Sequence, residues 1–137
     1  MPKQAPLKLI KRCRFYKRRG DWKPIPPVTR GVYVLYRERP ARGAGKQFEV
    51  AYIGVGGVSK VAQTGIGGRI KEHHKTKEDW THYSFFEVHD NVSRDEILEL
   101  EGLLLSIFRH DQRIKLANVQ LSSKALQSLS KSEAWAL

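Results

Sequence analysis

An α+β domain, a three-stranded antiparallel sheet flanked by helices, is the fold class this sequence predicts, and three observations carry it. Two runs rich in β-branched and aromatic residues, Gly31-Val32-Tyr33-Val34-Leu35-Tyr36 and Glu49-Val50-Ala51-Tyr52-Ile53-Gly54, flank a polar segment holding Pro40, Gly43 and Gly45, which is the pattern of a β-hairpin. The stretch from Trp80 to Val88 alternates Trp80, His82, Ser84, Phe86 and Val88 against Thr81, Tyr83, Phe85 and Glu87, and reads as a third, well-buried strand paired with that hairpin. Ser93-Arg94-Asp95-Glu96 is a capping box, and Ile97, Leu100, Leu104, Ile107 and Phe108 follow it at helical period, so a helix runs to about Arg109 with one face on the sheet.

At 137 residues the chain is one domain with room for a single core. One cysteine, Cys13, excludes an internal disulfide. No apolar run approaches a membrane span, and Met1-Pro2-Lys3-Gln4 opens without an apolar signal core, so a cytoplasmic protein with no membrane partner is expected. The formal charge of +11 is unevenly distributed: residues 1–30 hold ten Lys and Arg against the one acid Asp21, while the remainder is nearly balanced. We therefore divide the chain into a basic arm, 1–30, and a domain, 31–137. Such an arm neutralises phosphates and releases counterions, which points to nucleic acid. Lys11, Arg12, Arg14, Lys17, Arg18 and Arg19 are its candidate contacts, joined by Lys60 and Lys71 from the domain. Phe15, Tyr16 and Trp22 either pack on the domain or stack on bases.

Leu7 to Arg19 reads as a short helix from its scattered apolar positions, and Pro24, Pro26 and Pro27 end it and lead an extended segment into Gly31. The first strand runs to about Arg37 and the second from about Phe48 to Gly54. The glycine-rich passage after it, Gly56-Gly57 and Gly65-Ile66-Gly67-Gly68, raises the question of a phosphate cradle. It has no Gly-Lys-Ser or Gly-Lys-Thr and no dinucleotide fingerprint, which excludes both nucleotide-binding classes and leaves a loop over the site. Ile66 to Lys75 reads as a helix, with Arg69 and His73 four apart on one face. In the late helix Glu101 stands beside the apolar stripe, where an acid is costly unless something pairs with it. A further short helix after Ser122 and a Trp135 packed back on the core complete the expectation.

Gly31-Val32-Tyr33 and Tyr52-Ile53-Gly54, on adjacent strands, together with Arg69, His73, Glu101 and Asn118 in that order, resemble the GIY-YIG nuclease superfamily over nearly the whole chain outside the arm and tail. The resemblance implies a GIY-YIG fold and a DNA endonuclease. It implies Glu101 as the ligand of one Mg²⁺, with Mn²⁺ as its substitute; Arg69 as the phosphate clamp; Tyr33 and Tyr52 as base and partner; His73 as acceptor of the Tyr33 proton or of a phosphate bond; and Asn118 as a supporting residue. Cations near the phenols are expected to lower a pKa that starts near 10. The intervals Tyr33 to Tyr52 and Tyr52 to Arg69 exceed the shortest family versions, and Val55 replaces the polar residue that often follows the second tripeptide, with Lys60 as its substitute. No separate DNA-reading domain fits, so the arm and loops must bind, as a monomer or as a homodimer on DNA. The alternative is a catalytically silent nucleic-acid-binding module of the same fold, although a lone carboxylate facing a phosphate would repel such a ligand.

Overall fold

The architecture is seen in a computed structural model that describes residues 9–26, 28–40, 45–58, 64–76 and 79–109. Strand β1 spans Ile10–Arg18 and runs into a short 3₁₀ turn, Arg19–Trp22; β2 is Gly31–Pro40, β3 Lys46–Gly56, α1 Ile66–Lys75, β4 His82–Val88 and α2 Arg94–Arg109. Four strands lie in the order β1-β4-β2-β3, each antiparallel to its neighbours. This is a mixed α+β fold, and the hairpin, the third strand and both helices stand where the residue patterns put them.

The sheet has a helix on each face. On one, Val32, Val34, Val50 and Ile53 pack with Ile97 and Leu105 of α2; on the other, Tyr33, Leu35, Tyr83 and Phe85 pack with Ile66 and Ile70 of α1 and with Trp80. Coverage from both sides explains why β2 is buried without interruption from Gly31 to Tyr36 and why its sequence lacks polar alternation. A register shift between Leu35 and Tyr36 leaves Ala51 without a partner, so Tyr52 keeps to the α1 face while Val50 returns to the α2 face. The capping box closes in both directions, Ser93 N–H to Glu96 Oε1 at 2.8 Å and Glu96 N–H to Ser93 Oγ at 3.1 Å.

Two expectations are corrected. Residues 10–18 are a strand, not a helix, and the sheet has four strands rather than three. Register shifts between Ile10 and Arg12 and between Arg14 and Lys17 break the alternation that identifies a strand. At the second shift Tyr16 takes φ +50° and its N–H bonds Ser84 Oγ at 3.0 Å. Phe15 then meets Phe86 edge-on at 5.5 Å, while Tyr16 stacks on Phe48 at 4.8 Å. Phe15 and Tyr16 thus contact the domain, as does the third aromatic residue of the arm, Trp22, which lies 6.2 Å from the His74 ring. Among the described residues no helix is long and apolar enough to cross a membrane. The short helix after Ser122 and Trp135 lie outside the described residues, as does the core of the glycine-rich loop.

Candidate active site

Both tripeptides owe their glycines to close approaches. Gly31 has φ +152°, and a Cβ there would stand 2.0 Å from the Phe86 carbonyl oxygen of β4. Gly54 lies opposite Tyr33 across the β2–β3 ladder, and a Cβ there would stand 2.6 Å from the Tyr33 hydroxyl and 2.7 Å from Tyr52. The phenol of Tyr33 therefore lies over Gly54, beside Tyr52, with ring centroids 6.0 Å apart and nearly parallel. The hairpin delivers the pair of phenols as its sequence suggests.

Helix α1 supplies the next two groups. His73 Nε2 is 2.9 Å from the Tyr33 hydroxyl, and its ring centroid is 4.6 Å from that of Tyr52. Arg69, one turn earlier, pairs with Glu72 at 3.5 Å and is close enough for its charge to act on Tyr33. His73 is fixed from behind by its carbonyl oxygen. That oxygen accepts from Trp80 Nε1 at 3.2 Å, from Thr76 Oγ1 at 2.8 Å and from Arg19 Nη2 at 3.3 Å.

Glu101 enters from α2, where it falls on the i, i+4 line between the buried Ile97 and Leu105. Half-buried, it has its carboxyl pushed up to about 7 by loss of solvation. Among the described residues no cation is in ion-pair range of it, and no cluster of three His, Cys, Asp or Glu forms a ready-made metal cage. One partly desolvated carboxylate without a cation fits a hard divalent ion that keeps most of its own waters. Burial pushes the Tyr33 phenol far above its ordinary value, the nearby Tyr52 phenol and the Glu101 charge add to that, and only Arg69 opposes it. The lowered phenol pKa expected from the sequence is thus not produced by the protein's own groups.

Tyr33, Tyr52, Arg69 and His73 come together on the α1 face of the β2–β3 hairpin, while Glu101 stands on α2, which packs on the other face, and is linked to them by its charge acting on Tyr33. Asn118 and Lys60 lie outside the described residues. Lys11, Arg12, Arg14, Lys17 and Arg18 are exposed on β1, and Lys71 is exposed on α1. Arg19 is differently employed: its guanidinium donates to the carbonyls of His73, His74, Thr76 and Trp80 and lies 4.4 Å over the Trp80 ring. It caps the C-terminus of α1. Residue patterns did not single out Gly54 as the seat of Tyr33 or Arg19 and Trp80 as supports of His73. The Tyr-x-Gly spacing was the available signal for the first; the second pairing spans about sixty positions and left none. In comparison with known proteins, the chain matches no family model, no curated protein and no solved structure.

Proposed function

We propose that this chain is a metal-dependent DNA endonuclease of the GIY-YIG type that hydrolyses phosphodiester bonds. The observation that carries the reading is the 2.9 Å contact of Tyr33 with His73 Nε2, placed beside Tyr52 and within the fields of Arg69 and Glu101. A structural tyrosine has no need, around one hydroxyl, of a histidine, an arginine and an acid with which no cation of the described residues pairs.

Glu101 would hold Mg²⁺ or Mn²⁺, which when bound neutralises charge building on the phosphate. The planar fork of Arg69 suits two non-bridging oxygens. Because burial keeps the Tyr33 phenol protonated near neutral pH, it works as a relay rather than as a standing phenolate. Water gives a proton to the Tyr33 oxygen while the phenol proton passes to His73 Nε2. The hydroxide formed attacks phosphorus, the bond to the leaving oxygen breaks, and that oxygen takes a proton from solvent. Tyr52 holds the phenol in line by hydrogen bonding.

The test is supercoiled plasmid with and without Mg²⁺, using the natural chain beside Glu101→Ala, Arg69→Ala and Tyr33→Phe. Metal-dependent nicking should fall at least about 100-fold in each variant, with DNA binding retained. Binding without cleavage of plasmid, branched DNA or RNA would overturn the nuclease and leave the silent binding module.

A further inference from the structure

We propose that the hollow between β1 and the turn that follows it is a second binding subsite, which takes the sugar-phosphate backbone of an unpaired stretch of the DNA whose scissile phosphate lies at the candidate active site. It rests on the nuclease reading for the identity of that phosphate; the charge and shape of the hollow do not depend on it. The hollow holds about 550 Å³ and is lined by Arg12, Arg14, Lys17 and Lys23, with Asp21 the acid among its lining residues. Arg12 is engaged by Glu87 at 2.9 Å, but among the described residues no acid pairs with Arg14, Lys17 or Lys23. Three cations around one acid leave a net positive concavity, complementary to phosphate.

The strand register ties this hollow to the candidate active site. Arg14 is opposite Phe85, Phe85 opposite Tyr33, and Tyr33 opposite Gly54, so one row of partners crosses all four strands. A second row runs Lys17, Tyr83, Leu35, Tyr52. Cross-strand partners share a face, so Arg14 and Lys17 stand on the face that carries Tyr33 and Tyr52. Arg18, opposite His82 and so in the row of Tyr36, is on the other. At about 4.8 Å per strand the two steps from β1 to β2 come to about 10 Å within the sheet, but Phe85, Tyr83 and Leu35 between them are buried under α1 and Trp80, so a strand that reaches both places runs around α1.

The shape selects an unpaired strand. A concave site of this volume is in the range that takes small ligands, enough for a nucleotide or two, and a duplex cannot enter it. Tyr83 and Phe85, which also line it, are buried in the core and fix its floor, so the accessible groups it presents are chiefly the cations of β1 and Lys23.

The full chain, held in a chelator so that nothing is cut, is titrated by fluorescence anisotropy over a range of salt. The probes are a blunt duplex, the same duplex with a single-stranded DNA tail, and single-stranded RNA of the tail's sequence. The tailed duplex is expected to bind at least about tenfold tighter than the blunt one, since each phosphate contact on a single strand is worth about fivefold at 0.1 M salt. Lys17→Gln with Lys23→Gln, two exposed side chains whose loss leaves the core intact, should lower the salt slope for the tailed duplex by about 1.4 and leave the blunt duplex unchanged. Arg109→Gln, exposed on α2, should change neither. Equal losses on both duplexes, no loss on either, or no binding at all would overturn the subsite. A larger loss on RNA than on tailed DNA would overturn the choice of DNA. No arm reads cleavage, so an inactive plasmid assay refutes the nuclease and leaves these titrations to decide the subsite.

Discussion

Glu101 concentrates the physical tension of the molecule in one side chain. A carboxyl raised to about 7 by burial holds its proton in the folded chain over a range where the unfolded chain has lost it. Its contribution to stability is therefore fully present below about pH 4 and is lost as pH rises through 7. Glu101→Gln should melt with the natural chain at pH 4 and be more stable by about 1–2 kcal/mol at pH 8, after allowance for partial solvent access. Thermal unfolding at the two pH values reads this, and a variant less stable at pH 8 would refute the desolvation account. Added Mg²⁺ at pH 8 should raise the melting temperature of the natural chain and not that of the variant. The acid's place beside the apolar stripe was legible in the helical period. Its lack of a partner among the described residues was not, because only the neighbouring elements decide what reaches it.

At the scale of the element, α1 is a short helix whose end is tied down from outside. Its C-terminal carbonyls are satisfied by Arg19 of the 3₁₀ turn and by the Trp80 indole, with Arg19 stacked over that indole. One of those carbonyls belongs to His73, so Arg19 acts as a positioning residue for the contact with Tyr33. Arg19→Met should cost about 1–2 kcal/mol in denaturant unfolding, the range for hydrogen bonds to a charged donor near the surface. If the nuclease proposal holds, it should also lower kcat with little change in KM. Arg19→Lys should recover only part of either, since an ammonium cannot span several carbonyls as a planar fork does. Full recovery by Lys would show that charge alone matters. Nothing around Arg19 announces this role, because a cationic residue in a basic run looks like any other until the fold brings α1 to it.

At the scale of the whole molecule, β1 closes the sheet and changes the meaning of the basic arm. It covers the outer edge of β4, which would otherwise present open backbone hydrogen-bonding groups. Removing residues 1–18 should yield a chain that self-associates as concentration rises in gel filtration, while the β2–β3 hairpin stays intact. A monodisperse truncated chain would show that β1 is dispensable to the sheet. The same strand places Arg14 and Lys17 on the tyrosine face, so the charge that composition located in residues 1–30 acts from within the sheet.

Features with a cause in adjacent residues were determined by the sequence alone. The capping box of Ser93 and Glu96, an amphipathic α2 whose buried face takes Leu105 and leaves the expected Ile107 exposed, the hairpin with its two glycine-tyrosine tripeptides, and the i, i+4 placement of Arg69 and His73 follow from spacing, because helix and strand geometry are local. What depended on partners far along the chain was decided only by the tertiary structure. Irregular pairing with β4 turned Ile10–Arg18 into a strand, and packing against α1 fixed Arg19 as a cap. Burial raised the Tyr33 phenol where nearby cations had been expected to lower it. Desolvation and register are properties of the assembled sheet, and no window of the sequence contains the atoms that produce them.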